Sequence, residues 1–233
     1  MFFILGAIVF LLVLVFVFSA TRKSVQKREE AEFQRKLAEK KRTEQKRIAN
    51  LKGELGEYKI NFQFERLPGD YKHLADVMIR STKGLTQIDH IVVSPYGIFV
   101  VETKNYAGWI FGNQDNKYWT QTFHNKKAKF YNPIWQNNGH IKALRELLKD
   151  YKDLKFHSII AFTRRCELRQ IKSDITVIYD TEISNVILRR NKEIFLSNSD
   201  VLNIYNLLKD ANITDERVRE EHIQQINRTI KNN

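Results

Sequence analysis

An unbroken apolar run opens the chain, extending from Phe2 to Phe18 and lengthened by Ser19 and Ala20. About 20 helical residues, each rising 1.5 Å, span the ~30 Å hydrocarbon core of a bilayer. No basic segment precedes the run, and a bulky ring at Phe18 is atypical of a signal-peptide cleavage site. We therefore predict a transmembrane anchor over residues 1–20 rather than a cleaved signal peptide.

A charged stretch without glycine or proline follows the anchor. Between Ser24 and Asn50 the chain is rich in Glu, Lys, Arg, Gln and Ala, and its few apolar residues sustain no heptad. This pattern favours an exposed helix over a coiled coil. Basic Arg22 and Lys23 directly after the anchor place the rest of the chain in the cytoplasm by the positive-inside rule. Residues 21–52 are interpreted as a basic helical stalk, either a solvated spacer or a segment held by anionic headgroups.

From Gly53 onward, short apolar runs alternate with helical patterns. A first strand is predicted at His73–Arg80, and Ser94-Pro95-Tyr96-Gly97 has the Pro and Gly positions of a type I turn between two strands. Asn132-Pro133 is a typical helix start, with Asn as the N-cap. That helix presents an apolar stripe to the sheet, which comprises Ile141, Leu144, Leu147 and Leu148. The other predicted elements are strands at 156–162 and 175–179 and helices at about 199–210 and after 214. Strands bracketed by helices predict an α/β domain with a mixed central sheet.

The predicted hairpin also predicts a register. If Ser94 faces Gly97, then Asp89 lies opposite Glu102, and Gln87 lies opposite Lys104. Side chains alternate between the two faces of a strand, so Asp89, Glu102 and Lys104 share one face while His90 points to the other. The remaining positions are apolar on both faces, which indicates buried central strands.

Charge and cysteine content change this picture only slightly. The 233-residue chain has a net charge of +12, of which residues 21–53 carry +7, from twelve Lys or Arg and five Asp or Glu. The remaining +5 makes the domain mildly basic, so charge alone supports a polyanionic partner weakly. The single cysteine, Cys166, has no neighbouring Cys/His cluster of the zinc-binding kind. We predict that it packs near a strand end in a reducing compartment.

The facing carboxylates are the candidate chemistry. Like charges on neighbouring strands repel, and Lys104 supplies one compensating positive charge. Asp89 and Glu102 also offer the hard oxygen ligands that suit Mg²⁺ or Mn²⁺. Such an ion can polarise a phosphoryl oxygen and acidify a bound water, while Lys104 orients the water or stabilises developing charge. A purely structural ion network of the same residues is the alternative.

The order of motifs resembles the nuclease-related domain (NERD) family of the PD-(D/E)XK nuclease superfamily, although no Pro precedes Asp89. The resemblance covers about Gly53 to Leu148. It implies a restriction-endonuclease-like core, a nuclease activity and DNA as substrate. The motifs that carry it are Gly53-Glu54-Leu55-Gly56-Glu57, Gln87 to Val93, Gly97 to Asn105, Gly108, Trp119 and Asn132 to Asn137.

The resemblance also implies roles for individual residues. Asp89 and Glu102 would be metal ligands for Mg²⁺ or Mn²⁺, and Lys104 would be catalytic. Glu57 would bring a further acid to the metal site, with Glu54 one turn earlier as the alternative.

Residues of the helix after Asn132 are less clearly assigned. Gln136 resembles the polar residue that leans over the active site, or else it is an ordinary polar residue at a helix start. His140, one turn later, is predicted to be a surface or hydrogen-bonding group rather than a ligand. Trp109, Trp119 and Trp135 are predicted core or rim residues, and an exposed one could stack on a base.

These inferences define the expected organisation. A transmembrane anchor (1–20) and basic stalk (21–52) precede a nuclease domain (53–180) and a C-terminal helical extension (181–233). The expected function is a membrane-tethered, metal-dependent nuclease acting on DNA from the cytoplasmic side. The alternative is a catalytically silent nuclease-fold module that binds nucleic acid or a protein partner at the membrane. A membrane scaffold acting through the helix after Thr214 is a third possibility.

Overall fold

The computed structural model describes residues 2–123, 126–190 and 192–231. Within these ranges it gives no side-chain positions for 2–21, 24–25, 49–50, 52, 54–55, 57, 227 and 229–231. The chain divides into two units, one ending at Leu55 and the other beginning at Gly56. Helix α1, Phe2–Glu65, contributes residues to both.

The first unit is helical throughout its described length. Every side chain described between Gln26 and Ile48 is exposed, as expected for the predicted exposed stalk helix. Among the described residues, no helix combines the length and the apolarity that a membrane crossing requires. The side chains of the predicted anchor, residues 1–20, lie outside the described set.

The second unit contains two β-sheets flanked by helices. A five-stranded sheet has the order β1-β2-β3-β7-β9, and a four-stranded sheet has the order β6-β5-β4-β8. In the first sheet β1, β2 and β3 are antiparallel, whereas β3, β7 and β9 are parallel, which confirms the predicted mixed sheet. The strands are β1 Lys72–Ser81, β2 Gly84–Ser94, β3 Gly97–Lys104, β4 Gly108–Asn113, β5 Tyr118–Phe123, β6 Lys126–Tyr131, β7 Phe156–Phe162, β8 Cys166–Lys172 and β9 Thr176–Tyr179. The helices after α1 are α2 Pro133–Leu147, α3 Ile183–Leu188, α4 Asn198–Ala211 and α5 Glu216–Lys231, with a 3₁₀ turn at Asp180–Glu182.

The sequence prediction missed the second sheet. It assigned no strands between Lys104 and Asn132 or between Phe162 and Ile175, where β4, β5, β6 and β8 lie. Strand β6 reads KKAKFY and β8 reads CELRQIK, so neither shows a sustained apolar alternation. Pairing with neighbouring strands, rather than local pattern, makes these segments extended.

The β2–β3 hairpin turns where the sequence predicted. Pairing runs from Ser94↔Gly97 to His90↔Val101 in the predicted register. Gly97 has φ +113°, and a Cβ there would lie 2.5 Å from the Lys155 carbonyl oxygen. A larger residue would therefore meet both an unfavourable backbone conformation and a clash.

Beyond His90 the predicted pairing does not continue. Among the described residues, the β2–β3 ladder stops at His90↔Val101. The two further pairs, Asp89 with Glu102 and Gln87 with Lys104, are absent from it. The carboxylates therefore reach the same region without facing each other as ladder partners.

The β1–β2 ladder also leaves out Asp89. The register there passes from Ala75↔His90 to Val77↔Ile88 and omits Asp76 and Asp89. Asp76 has φ 54°, a left-handed conformation that is uncommon outside glycine. Gln87 donates from Nε2 to Asp76 Oδ1 at 2.5 Å, so its side chain is directed toward β1.

Three apolar clusters hold the second unit together. Helices α2 and α4 cover one face of the five-stranded sheet, while the end of α1 and helix α3 cover the other. Between the sheets, Trp119 and Ile110 pack with Ile160 and Phe162 of β7. The residues predicted as a C-terminal extension thus contribute to the core, through Ile183, Ile187, Val201, Ile204 and Leu208.

A histidine pair lies on the α1 face of the sheet. His73 Nε2 is 3.1 Å from His90 Nδ1, and the His73 ring stacks on Phe64 at 4.0 Å. Burial lowers the pKa of His73 to about 4. Burial and the neighbouring His73 lower the pKa of His90 to about 3. Both rings are therefore neutral near pH 7, and one donates a hydrogen bond to the other.

We predict that acid destabilises the fold through this pair. Unfolded histidine has a pKa near 6.5, so the unfolded chain binds more protons as the pH falls from about 6.5 toward 4. The free energy of unfolding should decrease over that window, by up to about 1.4 kcal/mol per pH unit for each histidine. Urea unfolding monitored by tryptophan fluorescence measures this slope. The double variant His73→Gln/His90→Gln should flatten it, and an unchanged slope would contradict the assignment.

Candidate active site

The candidate site lies where the end of β3 meets the first half of α2. Val100, two residues before Glu102, packs in the cluster beneath α2, so Glu102 and Lys104 continue along the same face. Helix α2 begins as predicted, because Asn132 Oδ1 accepts a hydrogen bond from the Ile134 amide at 2.9 Å. Four-residue spacing then places Gln136 and His140 on one side of the helix.

Glu102 is the most buried charged group of this site, with 1% of its surface exposed. Its Oε1 accepts a hydrogen bond from Lys104 Nζ at 2.5 Å, and its Oε2 lies 3.1 Å from His140 Nε2. Burial alone would raise the pKa of Glu102. The bonds from His140 and Lys104 outweigh that effect and hold the pKa below its ordinary value. Glu102 is thus an ionised carboxylate with a partner on each oxygen.

Lys104 links the strand to the helix. Its Nζ donates to Glu102 and also to Gln136 Oε1, at 3.0 Å. An ammonium has three donors, so these two bonds leave one available. The Lys104 side chain is 17% exposed, in contrast to Glu102 beneath it. The ammonium is therefore positioned by two partners, on a side chain that is less buried than Glu102.

Asp89 is anchored differently from Glu102. Its Oδ2 accepts from the Thr103 amide at 2.7 Å and from Thr103 Oγ1 at 2.8 Å. Burial, and next the nearby Glu102 carboxylate, raise the pKa of Asp89, although Thr103 and Lys104 act in the opposite direction. Among the described residues, none donates to Oδ1. Asp89 thus lies within electrostatic reach of Glu102 and Lys104 and has an oxygen available.

His140 and Thr86 were not predicted as members of this site. His140 is buried, with its Nδ1 2.7 Å from Thr86 Oγ1 and its Nε2 3.1 Å from Glu102 Oε2. The hydrogen-bonding alternative for His140 was therefore correct, and the surface alternative was wrong. Spacing of four residues from Gln136 was the available signal for His140. Thr86 had no such signal, because it reaches the site from the start of β2.

A cleft of about 180 Å³ opens beside this network. Thr86, Gln136 and His140 line it, together with two lysines, Lys83 and Lys142. Glu146 also lines the cleft, so its walls carry charges of both signs beside the hydrogen-bonding groups.

Other residues discussed in the sequence analysis lie outside the site or outside the described set. The side chains of Glu57 and Glu54 lie outside the described residues. His90 packs on Phe64, away from the candidate site, as predicted. Cys166 is buried at the start of β8, and burial raises the pKa of its thiol to about 11, which agrees with a packing role. Trp119 is a core residue, whereas Trp109 and Trp135 are exposed.

The residues present fit a magnesium site built from two carboxylates. Mg²⁺ commonly uses one or two carboxylates and keeps several waters. Asp89 Oδ1 accepts no hydrogen bond from the described residues, and each Glu102 oxygen accepts one, so lone pairs remain for a cation. Within the described part of the chain, no group of three or more His, Cys, Asp or Glu side chains is placed to hold a metal. Glu57 remains the predicted third acid.

Comparison with known proteins places the chain in a family. Residues 52–163 match the nuclease-related domain. An uncharacterized protein of Bacillus anthracis is 35% identical over 184 residues, covering 77% of this chain and 85% of the relative. The chain belongs to the nuclease-related domain family. No solved structure gives a significant match.

Membership of the nuclease-related domain family confirms the resemblance drawn from the motifs. The matched segment ends at Thr163, directly after β7, and so includes Asp89, Glu102, Lys104, Gln136 and His140. Core residues supplied by α3 and α4 lie beyond the nuclease-related domain match.

We predict that removing His140 destabilises the fold. The variant His140→Ala leaves a buried carboxylate oxygen of Glu102 without its donor, which should cost about 1–3 kcal/mol. Urea unfolding at pH 7 measures the loss. Lys142→Ala, at an exposed position of the same helix, is the matched control and should leave stability within about 0.5 kcal/mol of wild type. Equal unfolding midpoints for His140→Ala and wild type would show that the bond is unimportant.

Proposed function

We propose that this protein is a metal-dependent nuclease that hydrolyses phosphodiester bonds in DNA. The observation that carries the proposal is the Lys104 ammonium, held between Glu102 and Gln136 at the exposed end of β3. Asp89 lies close enough to Glu102 for the two carboxyl groups to interact electrostatically. Two carboxylates that can hold a metal ion, and an ammonium that can stabilise developing charge, together support phosphodiester hydrolysis.

Each residue has a distinct task in this mechanism. Asp89 and Glu102 would hold Mg²⁺, with Glu57 as the further acid. When bound, the ion would polarise a phosphoryl oxygen and acidify a water. Lys104 would orient the attacking water or stabilise the negative charge that develops on the phosphate. Gln136 keeps the ammonium in position, and His140 keeps the Glu102 carboxylate in position.

Loss of the Lys104 ammonium should abolish most cleavage. We predict that Lys104→Ala lowers the cleavage rate about 10²–10³-fold, the range observed when one preorganised donor of developing charge is removed. The measurement is cleavage of end-labelled single- and double-stranded DNA by the full chain in mild detergent with Mg²⁺ or Mn²⁺. Chelation with EDTA should stop the wild-type reaction.

The matched control is Lys152→Ala, which removes an exposed lysine from the loop after α2. It should cleave at the wild-type rate. The enzymatic proposal would be overturned if the wild-type chain cleaved neither DNA nor RNA with either metal and was therefore as inactive as Lys104→Ala.

One observation favours a catalytically silent module instead. Both Glu102 oxygens already have partners, Lys104 and His140, so the charge is compensated without a metal ion. In that case the fold would bind nucleic acid or a protein partner without cleavage. Absence of cleavage together with a melting temperature unchanged by Mn²⁺ would identify the silent module, since a bound ion stabilises the folded state.

We also propose that residues 2–20 tether this nuclease to the membrane, with the domain in the cytoplasm. The support is the apolar run of about membrane-spanning length and the basic residues after it. The tether is independent of the catalytic proposal.

Deletion of residues 2–20 should therefore release the chain from membranes. We predict that the full chain sediments with membranes at high pH and high salt, whereas the deleted chain stays in the supernatant. In the control variant, the apolar run is kept and Gln replaces Arg22, Lys23, Lys27 and Arg28. It should sediment as the full chain does, because surface charge alone does not anchor a chain in high salt. Sedimentation of the deleted chain with membranes would contradict the tether.

A further inference from the structure

An exposed face of the second sheet combines aromatic rings with lysines. Trp119 and Phe130 pair across β5 and β6 and pack inward. The alternate positions therefore point outward, and cross-strand partners share that side. The outward-facing cross-strand pairs are Tyr118 with Tyr131, Thr120 with Lys129, and Thr122 with Lys127. We call this set, together with Trp135, the aromatic–lysine face.

The rings of this face are accessible. Tyr118 is 42% exposed, Tyr131 45% and Trp135 39%. Tyr118 and Tyr131 meet edge to face at 6.4 Å, and Tyr131 meets Trp135 in the same way at 6.3 Å. Trp135 is fixed by a hydrogen bond from Nε1 to the Gln114 carbonyl at 2.8 Å. The three rings form a positioned row rather than isolated surface residues.

Charge distinguishes this row from an ordinary apolar patch. From Lys117 to Tyr131 the chain contains four lysines and no Asp or Glu. Lys127 and Lys129 are exposed on the same face as the tyrosines, and Lys117 Nζ lies 5.3 Å from the Tyr118 ring centre. Lysines beside open rings complement a partner that has both phosphates and unsaturated rings. Proteins that bind single-stranded nucleic acid use this combination.

The row ends one residue before a member of the candidate active site. Trp135 directly precedes Gln136, whose Oε1 accepts the hydrogen bond from Lys104. Ring spacings of 6.4 and 6.3 Å are also nearly twice the ~3.4 Å rise between stacked bases of one strand. A strand that places bases on successive rings must therefore be unstacked, which a duplex does not allow without opening.

We propose that the aromatic–lysine face binds single-stranded nucleic acid and guides it to Lys104. The proposal rests on the proposed nucleic-acid substrate and adds its strand state and path. Bases stack on Tyr118, Tyr131 and Trp135, while Lys127 and Lys129 neutralise phosphates. Binding at this face needs no metal ion.

The test measures binding separately from cleavage. Fluorescence anisotropy of a labelled 20-nucleotide oligo(dT), with EDTA present, gives the affinity of the full chain in mild detergent. The double variant Tyr118→Ala/Tyr131→Ala should weaken binding at least about tenfold, since each stacked base contributes about 1–3 kcal/mol. Its control is Phe195→Ala, which removes an exposed ring from the loop between α3 and α4 and should bind as wild type does.

A charge variant tests the lysines. Lys127→Gln/Lys129→Gln should weaken oligo(dT) binding and reduce the slope of log affinity against log salt by about 1.4, or about 0.7 for each phosphate that is no longer neutralised. The control Lys149→Gln/Lys152→Gln removes the same charge from exposed positions after α2 and should leave the slope unchanged. A smaller slope in both pairs would show that net charge, rather than this face, drives binding.

Several results would overturn the proposal. These are equal oligo(dT) affinity for wild type and the tyrosine variant, no measurable oligo(dT) binding, or a preference for a 20-base-pair duplex. The face would be a lipid-binding face instead if monomeric dioctanoyl phosphatidylglycerol displaced oligo(dT) and the tyrosine variant lost affinity for the lipid but not for DNA. Binding is measured in EDTA, which prevents cleavage, so the two proposals can fail separately. If the chain binds oligo(dT) through the tyrosines but does not cleave DNA with Mg²⁺ or Mn²⁺, this face is supported and only the enzymatic proposal is refuted.

Discussion

A carboxylate buried beneath a helix determines how the candidate site is built. Glu102 is removed from water by α2, and an unpaired buried charge costs several kcal/mol. Lys104 from its own strand and His140 from α2 compensate it on opposite oxygens. Pairing with His140 fixes the height of the helix above the strand, and Lys104 fixes Gln136. The demands of one buried charge thus position Lys104 and His140, whereas Asp89 is anchored by Thr103.

The two carboxylates of the site occupy different environments for a structural reason. Asp76, which has a positive φ, and Asp89 are left out of the β1–β2 ladder, and the Asp89 carboxylate accepts hydrogen bonds from Thr103. Burial raises the pKa of Asp89, whereas the hydrogen bonds from His140 and Lys104 hold the pKa of Glu102 below its ordinary value. Such separation is the usual sign that neighbouring acids have different tasks.

The second sheet gives the site its surroundings. Its inner side supplies Trp119 and Ile110 to the core next to β7, and its outer side carries tyrosines and lysines that end at the start of α2. Asn132 joins the two, because its Nδ2 donates to the carbonyls of Gln114 and Asn116 while its Oδ1 caps the helix. One buried amide thereby aligns the aromatic row with Gln136. The proposed binding face and the proposed catalytic groups share a rigid connection.

Local chemistry in the sequence determined the β2–β3 turn, its first pairs and the start of α2, because Gly97 and Asn132-Pro133 act within a few residues of themselves. It also indicated Asp89, Glu102 and Lys104 through spacing. Only the tertiary structure decided the interruption at Asp89, the burial of His140 against Glu102 and the contribution of Thr86. It alone made strands of β6 and β8, whose patterns are weak. These features depend on contacts between residues distant in the chain, and no local period encodes such contacts.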